Sequence, residues 1–193
     1  MEYVHHLDGY VFELRNFLTP EECTRWIADI EAEGFEPALI NGWNGPVRRE
    51  EVRNNDRLIR DDPATAEVLY QRLYPYVSKT FRKRQVVGLN ERFRFYRYDV
   101  GQKFDWHQDG YFQRPNGERS QLTFMIYLNE NLEGGGTSFS DVRAGQSFPD
   151  FRVTPRTGSA LVFFHPIMHR GDPVTSGRKY VMRTDVMYTP EAF

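Results

Sequence analysis

The first stretch with a clear hydrophobic pattern follows Thr19. Apolar side chains recur there at the spacing of one helix face, at Cys23, Trp26, Ile27 and Ile30. Thr19 is a favourable N-cap, Pro20 suits the first helical position, and Glu22 completes a capping box with Thr19. Because Gly34 offers a C-cap, the pattern predicts an amphipathic helix between Thr19 and Gly34.

A second helical pattern begins at Asp62-Pro63. Its apolar positions are predicted to share one side of the helix, at Val68, Leu69, Leu73 and Val77. Pro75 is expected to end or restart this helix, because proline lacks the amide hydrogen that a helix interior needs. Between the two helices, residues 41–46 have the composition of a turn, and residues 48–57 are dense in charges of both signs.

From about residue 86 the pattern changes to one typical of strands. Ring and charged side chains alternate from Phe93 to Tyr98, apolar runs cover Leu122–Leu128 and Ala160–Phe164, and Tyr180–Tyr188 is strand-like. Turn-forming residues separate these runs. We therefore predict a mainly β, α+β fold in which N-terminal helices pack on a β-sandwich or jelly roll. One domain is expected to cover residues 1–193, with a helical part at 1–85 and a β core at 86–193.

Composition and charge narrow the classes of function. The 193 residues carry a net charge of −2, so nonspecific electrostatic binding to nucleic acid or to an anionic membrane is not expected. Cys23 is the only cysteine, which excludes an intrachain disulfide. No stretch resembles a signal peptide or a membrane span, so we predict a cytoplasmic protein. The sequence carries no signal for the oligomeric state.

The candidate chemistry is that of a metal site. His107 and Asp109 stand two residues apart, so on a strand they point to the same face, and His169 lies far downstream. Two imidazoles and one carboxylate can hold Fe(II) while leaving positions open for other ligands. A His-x-Asp triplet alone is a weak signal. His165 is an alternative to His169 as the second imidazole, although a structural role suits it better.

Three blocks of sequence resemble one known family. The segment Tyr98–Asp109 resembles the Tyr-x-x-Gly-x-x-aromatic-x-x-His-x-Asp signature of the prolyl-4-hydroxylase-like branch of the Fe(II)/2-oxoglutarate dioxygenases. Thr123–Asn129 followed by Gly134–Phe139 resembles its Tyr-Leu-Asn and Gly-Gly-x-Thr-x-Phe stretches, and His169–Lys179 resembles its distal histidine motif. The blocks span residues 93–188 in the family's order. The resemblance implies a double-stranded β-helix, which is a jelly-roll or cupin-like core.

The resemblance also implies roles for single residues. His107, Asp109 and His169 match the iron ligands, and Lys179 matches the cation that pairs with the distal carboxylate of 2-oxoglutarate. Tyr127 matches a tyrosine that binds the same carboxylate, Tyr98 matches a tyrosine close to the iron, and strand alternation puts Thr123 and Met125 on the face of Tyr127. Arg183 would share a strand face with Lys179, which makes it an alternative or second anchor. The implied reaction consumes O₂ and 2-oxoglutarate, releases succinate and CO₂, and hydroxylates an unactivated C–H bond; ascorbate is a candidate reductant.

The sequence says less about the substrate. Arg94 should share a strand face with Tyr96 and Tyr98, and Trp106 and Tyr111 flank the ligand pair. A further group of candidates precedes the barrel, where similar enzymes often place a substrate-facing flap: Trp43, Arg53 and Arg57. Simple solvation is the favoured explanation of such a charged stretch. A peptidyl substrate, with prolyl as the first candidate, is favoured by family analogy. A small-molecule or free amino acid hydroxylase and a non-catalytic metal- or metabolite-binding barrel are the alternatives.

Overall fold

The computed structural model describes residues 1–42, 45–141 and 148–190 of the chain. The two helices are α1 (Pro20–Glu33) and α2 (Pro63–Leu73). The strands, in chain order, are β1 (Glu2–Leu7), β2 (Val11–Arg15), β3 (Glu36–Pro37), β4 (Ile40–Gly42), β5 (Gly45–Val47), β6 (Asp56–Asp61), β7 (Thr80–Phe81), β8 (Arg84–Leu89), β9 (Arg92–Tyr98), β10 (Phe104–His107), β11 (Arg119–Tyr127), β12 (Leu132–Gly134), β13 (Thr137–Ser140), β14 (Phe151–Val153), β15 (Ala160–Phe164), β16 (Met168–Gly171), β17 (Val174–Gly177) and β18 (Lys179–Tyr188).

Helix α1 begins and ends where its sequence predicts. The backbone N–H of Glu22 donates to the Thr19 hydroxyl at 3.2 Å, and the Glu22 carboxylate accepts from the Thr19 N–H at 2.8 Å. These two bonds form the predicted capping box and satisfy amides that the first turn leaves unpaired. At the other end, Gly34 has a φ of +93° and its N–H donates to the Ile30 carbonyl. The predicted helix is confirmed.

Helix α2 begins where its sequence predicts, but one residue of its predicted buried face is exposed. The Asp62 carboxylate caps it by accepting from the Thr65 N–H at 2.9 Å, and the helix ends before Pro75. Leu69 and Leu73 are buried, as expected for residues four positions apart on one face. Val68 is 57% exposed, so its predicted place on the buried side is wrong. No helix among the described residues is both long and apolar enough to cross a membrane.

The main sheet contains ten strands and joins both halves of the chain. Its strands follow the order β1-β2-β15-β11-β18-β9-β6-β3, and β8, with β7 beside it, also pairs with β18. All of these pairings are antiparallel. The description of residues 1–85 as a helical part is therefore incomplete. β1, β2 and β6 lie in that range and extend the sheet, through long-range pairing that local sequence patterns do not reveal.

The second sheet lies across the main sheet and creates the cavity in which the candidate site lies. It has four antiparallel strands in the order β10-β16-β13-β14. One apolar cluster joins Phe139 and Val153 of this sheet to Tyr96, Met125 and other residues of the main sheet. A second cluster joins the opposite face of the main sheet to both helices. The mainly β fold with helices packed on a two-sheet core is confirmed.

Candidate active site

Strand pairing in the smaller sheet brings the two predicted imidazole ligands together. His107 on β10 lies directly opposite His169 on β16, and their ring centroids are 4.2 Å apart. Asp109 follows β10, and its N–H donates to the His165 carbonyl at 3.0 Å, which holds this residue beside the pair. One donor atom from each of His107, Asp109 and His169 lies within 4.8 Å of the other two. This separation suits one metal ion between them.

Backbone carbonyls orient both imidazoles toward that point. Nδ1 of His107 lies 2.7 Å from the Asp105 carbonyl oxygen, and Nδ1 of His169 lies 2.9 Å from the Ile167 carbonyl oxygen. A carbonyl only accepts, so each Nδ1 carries the hydrogen and each Nε2 keeps its lone pair. Burial lowers the pKa of His107 to about 3 and also lowers the pKa of His169. Both rings are therefore neutral near pH 7, as metal coordination requires.

The Asp109 carboxylate is held by two further side chains. Its Oδ2 accepts from the Thr123 hydroxyl at 2.5 Å and lies 3.0 Å from Nη2 of Arg183. Burial alone would raise the pKa of Asp109, but the positive charge of Arg183 outweighs it and holds that pKa well below its usual range. The carboxylate is therefore ionised, with Oδ1 on the side of His107.

His165 supports Asp109 and does not compete with His169. Its Nδ1 lies 3.0 Å from the Thr123 hydroxyl and its Nε2 lies 2.9 Å from the Ser120 hydroxyl, so both ring nitrogens are already engaged. Together with the carbonyl that receives the Asp109 N–H, these contacts make His165 part of a buried chain behind the carboxylate. The structural role that the sequence favours for His165 agrees with these contacts.

Aromatic rings enclose the imidazoles. Phe104 stacks on His107 with a centroid distance of 3.5 Å, and Phe163 meets His169 nearly edge-on at 4.5 Å. Both rings line the same cleft as the candidate ligands. Neither was singled out from the sequence, although Phe104 occupies the aromatic position of the signature. Such packing keeps water from the ring faces and restrains their rotation.

Lys179 lies at the other end of the cleft, where β18 begins. It is buried, and its Nζ donates to the Gly135 carbonyl at 2.5 Å. The rings of Tyr98 and Tyr127 lie 5.0 and 5.5 Å from Nζ. Burial lowers the pKa of Lys179 to about 7, and the charge of Asp172 offsets this effect only in part. An anion bound here would supply the missing charge.

At the glycine run beside Lys179, an added side chain would crowd its neighbours. Gly135 has a φ of +62°, and a Cβ there would lie 2.7 Å from the Leu132 side chain and 3.2 Å from Cδ of Lys179. Just beyond it, the Thr137 hydroxyl lies 2.6 Å from the Tyr127 hydroxyl. Thr137 also lines the cleft and was not predicted as a site residue, although the Gly-Gly-x-Thr stretch contains it.

The other predicted co-substrate residues are divided between the two ends. Tyr98, Tyr127 and Lys179 lie together, and Met125 lines the cleft. Thr123 and Arg183 lie at the metal end, in contact with Asp109 and away from Lys179.

The predicted substrate residues are not all brought to one place. Arg94 on β9 lies directly opposite Arg183, and Arg53 is buried with its guanidinium carbon 4.5 Å from the Tyr96 ring centroid. Arg57 instead pairs with Glu36 at the edge of the main sheet.

Two of the remaining candidates are exposed aromatics close to the ligand pair. Trp106 is 39% exposed beside Arg170, and Tyr111 is 55% exposed beside Arg119. Trp43 lies outside the described residues.

Sequence comparison gives a family and a curated relative. Residues 93–184 match the family model of the 2OG-Fe(II) oxygenase superfamily. The chain is 32% identical to the probable prolyl 4-hydroxylase 9 of Arabidopsis thaliana, over 86% of this chain and 64% of that protein. The chain thus spans a little less than two thirds of this relative's length.

Comparison with solved structures supports the fold. A prolyl hydroxylase from Trichoplax adhaerens, solved in complex with a peptide fragment of the hypoxia inducible factor oxygen degradation domain, gives a TM-score of 0.70 at 14% identity. The match covers 93% of this chain and 84% of that one. A Pseudomonas putida prolyl-4-hydroxylase gives a TM-score of 0.64 at 17% identity, over 94% and 93% of the two chains. The predicted double-stranded β-helix is confirmed.

Proposed function

We propose that this chain, which belongs to the 2OG-Fe(II) oxygenase superfamily and to its prolyl-4-hydroxylase-like branch, hydroxylates an unactivated C–H bond. Family membership implies Fe(II), 2-oxoglutarate and O₂ as the reagents. The observation that carries the proposal is the pairing of a two-His, one-carboxylate cluster with a buried lysine in a single cleft.

The donor set fits Fe(II). His107 and His169 present neutral Nε2 atoms and Asp109 presents an ionised carboxylate, which is the facial arrangement that non-haem Fe(II) oxygenases use. Three protein ligands leave the remaining positions for a chelating co-substrate and for O₂. When bound, Fe(II), 2-oxoglutarate and O₂ would together supply oxidative decarboxylation to succinate and CO₂, with one oxygen atom of O₂ entering succinate and the other the hydroxylated C–H bond.

The chain's own residues bind and orient the co-substrate. Lys179 is placed to pair with the distal carboxylate of 2-oxoglutarate, and the Thr137 hydroxyl, which lines the cleft, can donate to that carboxylate while it accepts from the Tyr127 hydroxyl. A carboxylate in this dry end of the cleft needs such partners, because burying it unpaired is costly. Thr123 and Arg183 hold Asp109 in place, while Phe104 and Phe163 exclude water around the imidazoles.

A peptidyl substrate with a prolyl target is the first candidate. The curated relative is named as a probable prolyl 4-hydroxylase, and the exposed rings of Trp106, Tyr111 and Phe112 next to the ligands offer a surface for a peptide. A free amino acid or another small acid is the second candidate, favoured by the arginines around Tyr96. We also propose a cytoplasmic location, which agrees with the reducing conditions that preserve Fe(II).

Anaerobic visible spectroscopy tests the reaction class. Fe(II) is added to the purified chain, then 2-oxoglutarate, then O₂, while succinate is measured. We expect a weak charge-transfer band that needs 2-oxoglutarate and decays as succinate appears. His169→Ala should show no band, and Lys179→Ala should need far more 2-oxoglutarate to form it. Bound iron without any band in the unaltered chain would favour the non-catalytic metal-binding barrel instead.

A further inference from the structure

Three arginines surround Tyr96, a residue that lines the cleft. Arg94 stands two positions before Tyr96 on β9 and therefore shares its face, and Arg183 of β18 lies directly opposite Arg94. The guanidinium of Arg53 stacks on the Tyr96 ring at 4.5 Å from its centroid. Burial alone would raise the pKa of Tyr96, but the charges of Arg53, Arg183 and Arg94 outweigh it and lower that pKa. All three cations thus act on one hydroxyl group.

The hydrogen bonds of these arginines are incomplete. Arg94 Nη1 lies 3.6 Å and Arg183 Nη2 lies 3.4 Å from oxygens of the same Asp185 carboxylate. Arg53 donates to the Asn55 amide oxygen at 2.8 Å, and no carboxylate among the described residues pairs with it. Each guanidinium keeps a buried nitrogen without a hydrogen-bond partner, namely Nη2 of Arg53, Nη1 of Arg94 and Nε of Arg183. Unsatisfied buried donors of this kind call for an explanation.

The three arginines also carry more positive charge than the nearby carboxylates neutralise. Like charges directly opposite each other on neighbouring strands are destabilising, and Asp185 is shared between Arg94 and Arg183. The only other carboxylate that pairs with this group among the described residues is Asp109, and the proposed function assigns it to the metal. With a divalent metal and the metal-binding carboxylate of 2-oxoglutarate in place, this end of the cleft keeps an excess of positive charge. A further anion would relieve it.

We propose that Arg94 and Arg183, with Arg53 behind Tyr96, form a subsite for a carboxylate of the substrate. The proposal rests on the proposed function and narrows its substrate class to molecules that carry a carboxylate near the hydroxylated carbon. Arg183 lines the cleft and is 16% exposed, and Arg94, which lies directly opposite it on β9, is 25% exposed, so both keep surface that a ligand can contact. A planar carboxylate also matches the fork of a guanidinium, which binds its two oxygens together.

A binding experiment tests the subsite without turnover. The chain is loaded with Mn(II) and saturating 2-oxoglutarate under nitrogen, and the paramagnetic relaxation of propanoate carbons is measured by ¹³C NMR. We expect a saturable enhancement with propanoate and none with propanamide, because only the former carries the charge. Arg94→Gln should weaken propanoate binding at least tenfold. Arg94 suits this test because the described contacts do not place it against a metal ligand.

Arg92→Gln is the matched control, since Arg92 lies on the same strand but pairs with the exposed Asp61. It should bind propanoate as the unaltered chain does. Absence of saturable enhancement in the unaltered chain, or equal binding by Arg94→Gln, would overturn the subsite. The Mn(II) readout is independent of catalysis, so failure of the proposed reaction would appear separately, as a missing Fe(II)–2-oxoglutarate band.

The source of the carboxylate is determined by a second comparison. Succinate release is followed with free L-amino acids and with N-acetylated, C-amidated prolyl peptides that contain or lack an acidic residue. Stimulation by free amino acids identifies a small-molecule substrate, and stimulation by acidic peptides alone identifies an acidic side chain. In both cases Arg94→Gln should lower the stimulation at least tenfold. Equal stimulation by neutral amidated peptides in the unaltered chain and in Arg94→Gln contradicts the proposal.

Discussion

At the scale of single residues, Lys179 is the group whose charge depends most on what is bound. Its amine is buried against the Gly135 carbonyl, and its pKa is lowered to about 7 by burial. A bound carboxylate favours the ammonium form and raises that pKa. Binding of 2-oxoglutarate is therefore linked to proton uptake at every pH at which the free lysine is neutral.

This linkage predicts a pH dependence of co-substrate affinity. Below pH 7 the lysine is already charged, so the dissociation constant of 2-oxoglutarate should be low and constant. Above pH 7 binding must take up a proton, so the affinity for 2-oxoglutarate should fall by up to about tenfold per pH unit. Anaerobic titrations of the chain with 2-oxoglutarate from pH 6 to 9 measure this dissociation constant. Lys179→Arg should flatten the profile because a guanidinium stays charged; a flat profile in the unaltered chain would contradict this linkage.

The hydroxyl of Thr123 is predicted to position Asp109. It donates to the carboxylate at 2.5 Å and contacts His165 on its other side. Thr123→Val keeps the shape but removes this donor, so we expect Mn(II) affinity to fall by roughly 10- to 100-fold, as for other partners of metal ligands. Thr137→Val is the matched control. Because Thr137 contacts Tyr127, the Thr137→Val variant should raise the 2-oxoglutarate requirement and leave Mn(II) affinity unchanged. The reverse pattern would mean that Thr137 supports the metal site and Thr123 the co-substrate.

At the scale of elements, the sequence predicts what depends on local contacts. The α1 helix is predicted closely, since the capping box of Thr19 and Glu22 and the C-cap at Gly34 involve neighbours in sequence. Strand alternation correctly places Lys179 and Arg183 on one face of β18, because both line the cleft. Alternation does not tell which partner strand faces each position. The sequence therefore could not show that Arg183 meets Asp109 while Lys179 meets the Gly135 carbonyl.

Long-range pairing is the part that local patterns miss. The hydrogen bonds that join β2 to β15 connect residues about 150 positions apart in the chain. Short strands such as β10, with four residues of mixed polarity, contain no apolar run that would predict them. The family resemblance supplied the candidate ligands, and the pairing of β10 with β16 shows why they meet. Thr137 and Phe104 were missed as site residues because each is ordinary in type and acquires its place only when β13 and β10 pair with β16.

The turn after β12 is predicted to couple stability to co-substrate binding. Gly135→Ala combines a strained φ of +62° with a contact of 2.7 Å to the Leu132 side chain. Gly101→Ala has a φ of +84° and no atom within 4 Å of the added Cβ, so it introduces backbone strain without a steric contact. We expect Gly135→Ala to lose more of the free energy of unfolding than Gly101→Ala, by at most about 1 kcal/mol, because the end of the Leu132 side chain can move aside. Denaturant unfolding measures this difference.

The same pair of variants separates a local effect on Lys179 from general destabilisation. The added Cβ at Gly135 would lie 3.2 Å from Cδ of Lys179, so this variant should also require more 2-oxoglutarate. Gly101→Ala should not. Equal requirements in the two variants would mean that the turn does not position the lysine.

At the scale of the whole molecule, the cleft joins the two sheets. His107 and His169 belong to the smaller sheet, whereas Lys179 and Tyr127 belong to the main sheet. A metal alone contacts residues at one end of the cleft. A co-substrate that chelates the metal and reaches Lys179 would connect both sheets. Binding should therefore stabilise the fold in two separable increments.

Thermal unfolding with Mn(II) and 2-oxoglutarate under nitrogen measures these increments. A ligand at 100 times its dissociation constant stabilises the native state by about 2.7 kcal/mol, which for a chain of this size raises the melting temperature by roughly 5–10 °C. We expect one such rise with Mn(II) and a further rise when 2-oxoglutarate is added. Lys179→Ala should keep the first rise and lose most of the second, because its metal ligands are intact. His169→Ala should lose both, since the co-substrate binds through the metal; a rise with 2-oxoglutarate alone in that variant would show that Lys179 holds the co-substrate independently of the metal.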